Sequence, residues 1–252
     1  MSLIETEGIV LKCHDLAEAD RVVVVLTPDH GIVRAVAKGV KRLKSRYGSS
    51  LGPFNHVRLT YFQKEERELV SLQECELLRS NFQVAAEPQM LQLYSYLADL
   101  LLALVPPNDP NALVFRMTKA CMASGKLNEC EIGLIKTYFE IWLLRLSGYL
   151  IEWRKCYKCE REFYPDERPY VEAGLRFVCS ACPKRTLAEF APDGWYKVFH
   201  NVEKLPPTDV LAISDELNAA KEVSQLLVPV IERALDRSIT TLRSVAVDGL
   251  IR

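Results

Sequence analysis

Apolar and polar positions alternate in short runs through the first eighty residues, then change to a helical period after Pro88. A period of two marks half-buried strands, and a recurrence at three and four residues marks helices. Runs at 3–13, 21–26, 32–37, 55–63 and 68–77 are predicted as five strands. Thr27-Pro28-Asp29-His30-Gly31 is a turn with proline at its second position. Lys64-Glu65-Glu66-Arg67 is a charged turn before the last strand. The long interruption at 38–53 separates strands three and four. Five short strands with one long loop predict a small closed barrel, of either the OB or the SH3-like type, which periodicity alone does not separate.

Helices follow. The segment 90–105 is strongly apolar. Asp109-Pro110 offers an N-cap and a proline at the first helical position of the next helix, which Gly125 closes. Asn128 with Glu131 resembles a capping box opening a third helix to 146. Leu134, Ile135, Tyr138, Phe139, Trp142 and Leu146 recur at helical spacing, which favours core packing over an aromatic stacking platform. Helical pattern resumes at 193–200 and from 215 to near 247, with breaks expected at Pro229 and around 236–238. The fold class is multidomain α and β. An N-terminal five-stranded barrel (1–80) is expected to precede a helical domain (81–150 and 191–252) that carries an inserted module (151–190).

That module holds four cysteines, Cys156, Cys159, Cys179 and Cys182, spaced C-x₂-C-x₁₉-C-x₂-C. Two thiolates three positions apart on a tight turn can span one edge of a tetrahedron, and a second turn supplies the opposite edge. The pattern predicts one structural Zn²⁺. Rubredoxin-type iron is the alternative metal, but Glu160 and Pro183 stand where its knuckles carry glycine. A closed Cys₄ site leaves no coordination position for substrate, which argues against catalysis there. Short strands at 161–164, 169–172 and 175–178 would return the chain between the pairs. A C-x-x-C redox enzyme is the reading from another class, but its βαβ context is absent.

Composition changes the picture only through its distribution. The chain has 252 residues, 49% hydrophobic and 26% charged, with net charge −1. From His30 through Lys64 there is no Asp or Glu, yet Arg34, Lys38, Lys41, Arg42, Lys44, Arg46, Arg58 and Lys64 all fall there. A neutral total thus conceals a basic face, and a polyanion responds to the local field. Arg34, Lys38, Lys41, Arg42, Lys44 and Arg46 are the candidate phosphate contacts. Tyr47, Phe54, Tyr61 and Phe62 could stack bases, although alternation turns one of the last two inward. In the module, seven acids offset eight bases across 151–190, so direct DNA contact there is not demanded.

Other chemistry is weakly supported. No G-x-x-x-x-G-K-[ST], G-x-G-x-x-G or H-E-x-x-H sequence occurs. Gly48-Ser49-Ser50-Leu51-Gly52 matches G-x-S-x-G by letters, but a nucleophile elbow needs a strand before it and a helix after it. The expected activity is non-enzymatic. The first residues lack the basic region of a secretory signal, and the stretch 97–105 is too short to span a bilayer, so a cytoplasmic protein without membrane contact is expected. Cys13, Cys75, Cys121 and Cys130 are then expected as buried free thiols.

Several segments resemble the RecO family of bacterial recombination mediators. They are Glu7-Gly8-Ile9-Val10-Leu11, Glu18-Ala19-Asp20, Leu26-Thr27-Pro28-Asp29-His30-Gly31, Ala37-Lys38-Gly39-Val40-Lys41-Arg42, Lys44-Ser45-Arg46 and Leu51-Gly52-Pro53-Phe54. Leu146-Ser147-Gly148-Tyr149 before the first cysteine pair adds to them. Glu160, where glycine is expected, and the lack of proline after Tyr149 depart from the pattern. The resemblance implies an OB-fold, a helical domain and a zinc module. It also implies binding of single- and double-stranded DNA, annealing of complementary strands, and work with RecR and with the C-terminal tail of single-stranded DNA-binding protein to load RecA. A zinc-ribbon transcription or RNA-binding factor is the alternative from the same chemical territory.

Overall fold

Val-rich runs with one apolar face can hide that face by closing on themselves, and five strands here do so. In the computed structural model, which describes residues 2–16, 18–42, 45–47, 49–63, 69–150, 152–182, 188–213 and 217–235, they are β1 (Ser2–Asp15), β2 (Arg21–Thr27), β3 (Gly31–Ala37), β4 (His56–Gln63) and β5 (Leu69–Arg79). They form a closed barrel in the order β1-β2-β3-β5-β4. All neighbours are antiparallel except β3 and β5, where Arg34 lies opposite Leu69. This is the OB-fold arrangement, which resolves the choice that periodicity left open. Val10, Val23, Val25, Val33, Ala35, Val57, Leu59, Tyr61, Val70 and Leu72 point into one core. Each fully buried aliphatic side chain contributes about 1.5–3 kcal/mol.

β1 serves two neighbours. Its first half pairs with β4 (Ser2 opposite Gln63, Ile9 opposite His56) and its second half with β2, with a register shift between Val10 and Lys12. Gly8 lies just before the changeover. A Cβ there would stand 2.3 Å from Val25 Cγ1 and 2.9 Å from Leu59 Cδ2, so no side chain fits.

The chain divides into two compact units, Met1–Lys126 and Leu127–Arg252. The first contains the barrel with α1 (Phe82–Ala85), α2 (Pro88–Leu104) and α3 (Ala112–Met122). Phe54 packs on Tyr94 of α2 at 5.1 Å, and Lys12 pairs with Asp99 of α2. The cap of α3 is Asn111, whose side chain accepts the Val114 N–H at 3.0 Å, rather than Asp109. Asn111 can satisfy an orphan N–H from that place; Asp109 stands too far upstream.

The second unit contains α4 (Glu129–Leu146), a small sheet of β6 (Tyr170–Glu172), β7 (Arg176–Val178) and β8 (Glu189–Phe190), and then α5 (Trp195–Lys204), α6 (Pro207–Leu211) and α7 (Leu217–Leu235). The capping box at Asn128 and Glu131 is present. Leu134, Ile135, Tyr138 and Phe139 are buried, as a core stripe should be. Lys136 and Glu140, one turn apart on α4, form an ion pair at 2.9 Å inside the unit, and Lys136 also donates to Ser224 Oγ of α7 at 2.5 Å. Buried charges persist when paired and hydrogen-bonded.

Three sequence expectations change in this unit. α7 continues through Pro229 to Leu235 instead of breaking. The residues from 236, where a second break was expected, lie outside the described residues. Residues 161–164 form no strand, only an isolated bridge between Lys155 and Glu162, because Arg161 and its neighbours serve the cysteine turn. Cys130, in the first turn of α4, is exposed rather than buried. Among the described residues no helix is long and apolar enough to cross a membrane.

Candidate metal centre and nucleic-acid interface

The four cysteines converge. Their Sγ atoms all lie within 4.8 Å of one another, with 3.8 Å between Cys159 and Cys179 and 3.9 Å between Cys156 and Cys182. A tetrahedron with Zn–S bonds of about 2.3 Å has edges of about 3.8 Å. A disulfide needs about 2.05 Å. The thiols are therefore spaced as ligands around a common centre, and the group can hold a metal ion.

Local backbone bonds create that spacing. Cys156 N–H donates to the Arg161 carbonyl, Tyr157 N–H to the Phe177 carbonyl, and Glu160 N–H to the Cys156 carbonyl, each at 2.8 Å. Cys182 N–H closes the second turn on the Cys179 carbonyl at 3.3 Å. The Cys179 N–H also donates to Cys156 Sγ at 3.3 Å, joining the two turns through a sulfur. The β6–β7 hairpin between the pairs reverses at Gly174 and Leu175, both with positive φ.

Electrostatics favour an ion there. At Cys179 burial opposes ionisation, but hydrogen bonds from the Cys182 thiol and from the Cys182 and Ala181 N–H groups outweigh it and bring the pKa to about 6. Cys156 is held below its ordinary range in the same way: burial opposes, and the N–H groups of Cys179, Cys159 and Lys158 prevail. Cys182 is pushed up to about 12, chiefly because its proton is shared with Cys179 and Cys159. Metal-free, the group keeps some protons because adjacent thiolates repel; a divalent cation removes that obstacle.

Glu160 has φ 58°, the left-handed conformation that glycine adopts without strain. It occupies the position after the second cysteine where the sequence departs from the family pattern. A non-glycine residue there costs about 1–2 kcal/mol, partly offset by the greater unfolded-state freedom of glycine. Glu160→Gly should therefore stabilise the module by about 0.5–1 kcal/mol. The check is the thermal midpoint of the zinc-loaded protein; a lower midpoint in the variant would refute the strain.

The module does not fold around metal alone. Trp153, Phe163, Phe177, Trp195 and Phe199 form one aromatic cluster, with Phe177 stacked on Trp195 at 4.7 Å and Trp153 on Phe199 at 5.4 Å. Trp195 and Phe199 belong to α5, so the module and that helix share a core. Glu203 of α5 also pairs with Arg145 and Arg154.

The basic segment occupies the loop between β3 and β4. Arg34 stands exposed on β3, and Lys38, Lys41, Arg42 and Arg46 are exposed on the loop. Lys44 lies outside the described residues. The base of the loop is tied to the β1–β2 connection. Gly39 N–H donates to Asp20 Oδ1 at 2.8 Å, and Lys41 N–H to the Ala19 carbonyl at 3.1 Å. Lys41 Nζ pairs with Asp15 at 2.7 Å, beside Arg21 at 2.9 Å, and these two cations hold the Asp15 carboxyl below its usual range. Lys41 thus spends part of its charge on the fold. Arg34, Lys38, Arg42 and Arg46 have no ion pair among the described residues.

The aromatic candidates separate. Tyr47 is 1% exposed and plugs the barrel, its hydroxyl donating to the Leu72 carbonyl at 2.9 Å. Phe54 and Tyr61 are buried as well, while Phe62 is 38% exposed. Only Phe62 of the four keeps a free face, as strand alternation requires for one of the pair. Asp15 and Asp20, which fix the loop, carried no signal in the charge pattern because they lie far from it in sequence.

Comparison with known proteins agrees with this architecture. A family model described as recombination protein O N terminal matches residues 1–81, and one described as recombination protein O C terminal matches residues 87–243. The DNA repair protein RecO of Koribacter versatilis is 28% identical over 239 residues, 94% of this chain and 96% of that relative. The DNA repair protein RecO of Rubrobacter xylanophilus is 30% identical over 182 residues, 72% of each chain. That of Bifidobacterium longum subsp. infantis is 53% identical over 74 residues, 29% of this chain and 31% of the relative. With both halves matched, and with an OB barrel and a four-cysteine centre in place, the chain belongs to the recombination protein O (RecO) family of DNA repair proteins.

Proposed function

We propose that this chain is a non-enzymatic recombination mediator, which binds single- and double-stranded DNA and anneals complementary strands in the bacterial cytoplasm, at the nucleoid. The observation that carries the reading is the set of exposed cations, Arg34, Lys38, Arg42 and Arg46, on β3 and the loop after it, which have no ion pair among the described residues. Such cations neutralise phosphates and release counterions irrespective of sequence. Two backbones held on one basic surface repel each other less, so pairing nucleates without nucleotide hydrolysis. Membership of the RecO family supports RecR and the C-terminal tail of single-stranded DNA-binding protein as partners, and RecA loading as the outcome. The Cys₄ group takes one Zn²⁺, which orders the module and leaves no position open to substrate.

The test is annealing of complementary oligonucleotides coated with the cognate single-stranded DNA-binding protein. Purified protein should accelerate annealing without ATP, for unrelated sequences alike. Failure to anneal coated strands, or a strong preference for one sequence or for RNA, would replace this reading with that of a zinc-ribbon transcription or RNA-binding factor.

A further inference from the structure

A second polar cluster in the first unit is built from β4, β5 and α3 rather than from the loop between β3 and β4. His56 opens β4, Arg79 ends β5 directly opposite it in register, and Lys119 stands on α3. With Asn81 they line a small pocket open to solvent, whose remaining walls are Ile9, Phe54, Met122 and Ala123. Two of these groups, His56 and Lys119, meet at one oxygen of Glu7. His56 Nε2 lies 2.9 Å, and Lys119 Nζ 3.2 Å, from the same Glu7 Oε2. Arg79 has no hydrogen bond or ion pair among the described residues. Two groups of the wall thus already bond a carboxylate of the protein itself, while the Arg79 side chain beside them carries no ion pair among the described residues.

The charges around it are few. Burial holds His56 below its ordinary range although Glu7 pulls it up, so at neutral pH its Nε2–H donates to Glu7 as an uncharged imidazole. Glu7 is lowered chiefly by that bond and then by Lys119. The remaining group facing His56 from α3 is the Phe115 ring, at 6.3 Å. Lys119, Arg79 and Glu7 leave a net positive charge, and the Glu7 side chain is 43% exposed, so it can yield its position.

We propose that His56, Arg79 and Lys119 form a second phosphate-contact site for nucleic acid, in which the Glu7 carboxylate occupies the oxyanion position until a backbone phosphate displaces it. The proposal rests on the DNA-binding reading above and adds to it. A barrel with two separate phosphate sites can hold two segments of strand, which annealing requires. Arg79 and Lys119 supply charge, and the His56 N–H supplies direction.

The experiment is fluorescence anisotropy of the full-length protein with a labelled single-stranded oligonucleotide across a salt series. The Arg79→Gln, Lys119→Gln double variant removes two cations, so the log–log salt slope should flatten by about 1.4 units and affinity at 0.1 M salt should fall about 25-fold. Glu7→Gln should act in the opposite direction. The phosphate then has no carboxylate to displace, so affinity should rise about fivefold while the slope, which counts the same cations, stays as in the wild type. A merely structural triad gives no such gain. If the double variant loses its fold by circular dichroism, the Glu7 variant alone carries the test. Unchanged affinity in a folded double variant, or no gain on Glu7→Gln, would overturn the site, as would binding of inorganic phosphate there without any change in oligonucleotide slope. Wild-type protein that binds no DNA would instead overturn the reading on which the site depends.

Discussion

Removing the metal should unfold the cysteine module and leave the barrel intact. Zinc-loaded protein is expected to contain one zinc per chain, and Cys156→Ser, or a strong chelator, should abolish it. Cys156 is the ligand to change because it is buried and accepts the Cys179 N–H that joins the two turns. Apparent zinc affinities of structural sites are worth about 10–16 kcal/mol, more than a short hairpin can recover from its own apolar surface. The chain's three tryptophans, Trp142, Trp153 and Trp195, all belong to the second unit, so their emission is silent about the barrel. Trp153 and Trp195 are 4% and 1% exposed, and metal loss should shift their emission to the red. Because Trp195 and Phe199 share the module's core, the loosening should reach α5 and exceed the cysteine segment itself. Hydrogen exchange should show 152–182 and α5 losing protection while β1–β5 keep theirs. A native preparation with no zinc and four titratable thiols would sink the metal assignment, and a coloured, iron-loaded one would replace zinc with a rubredoxin-like centre.

Much of this architecture can be read from periodicity and spacing because both report local geometry. The five strands fall where alternation predicts them, with ends displaced by one or two residues. Cys156, Cys159, Cys179 and Cys182 are legible because ligand spacing is a property of the chain. What escapes the sequence is non-local. Period-two runs cannot say which strand neighbours which, so the β3–β5 pairing that separates an OB from an SH3-like barrel appears only in three dimensions. Helical period marks α2 and α3 as helices without revealing that they belong to the compact unit containing the barrel.

The same limit governs the basic loop. Counting acids between His30 and Lys64 shows where positive charge gathers, yet Asp15 reaches Lys41 from the end of β1 and takes up part of its charge. Tyr47 looks like a stacking residue beside Arg46, but its ring closes the barrel and its hydroxyl is spent on Leu72. Glu160 is legible as a departure from a pattern, although its φ of 58° is what gives the departure an energetic meaning.

Replacing Lys38, Arg42 and Arg46 together with alanine should weaken DNA binding about a hundredfold at 0.1 M salt. These three are chosen because they are exposed on the loop and have no ion pair among the described residues, so their charge is available to phosphate. Lys41 is left in place. Its loss would release Asp15 and slacken the base of the loop, mixing a structural effect with the electrostatic one. Each phosphate neutralised on a single strand contributes about 0.7 units to the log–log salt slope, so three lost contacts should flatten it by about 2 units. The loss should be the same for unrelated sequences, since backbone contacts carry no base information. The fold should survive, because exposed substitutions away from packed features cost less than about 0.5 kcal/mol each. Asp15, Asp20 and Tyr47 still hold the loop in the variant. Anisotropy with a labelled oligonucleotide across a salt series measures both quantities, and circular dichroism checks the fold. If this loop and the Arg79–Lys119 pocket bind separate phosphates, the slope changes from the two sets of variants should add, as independent sites do. A folded loop variant with unchanged affinity and slope would mean that the acid-free window is a solvated face and that DNA is held elsewhere on the protein.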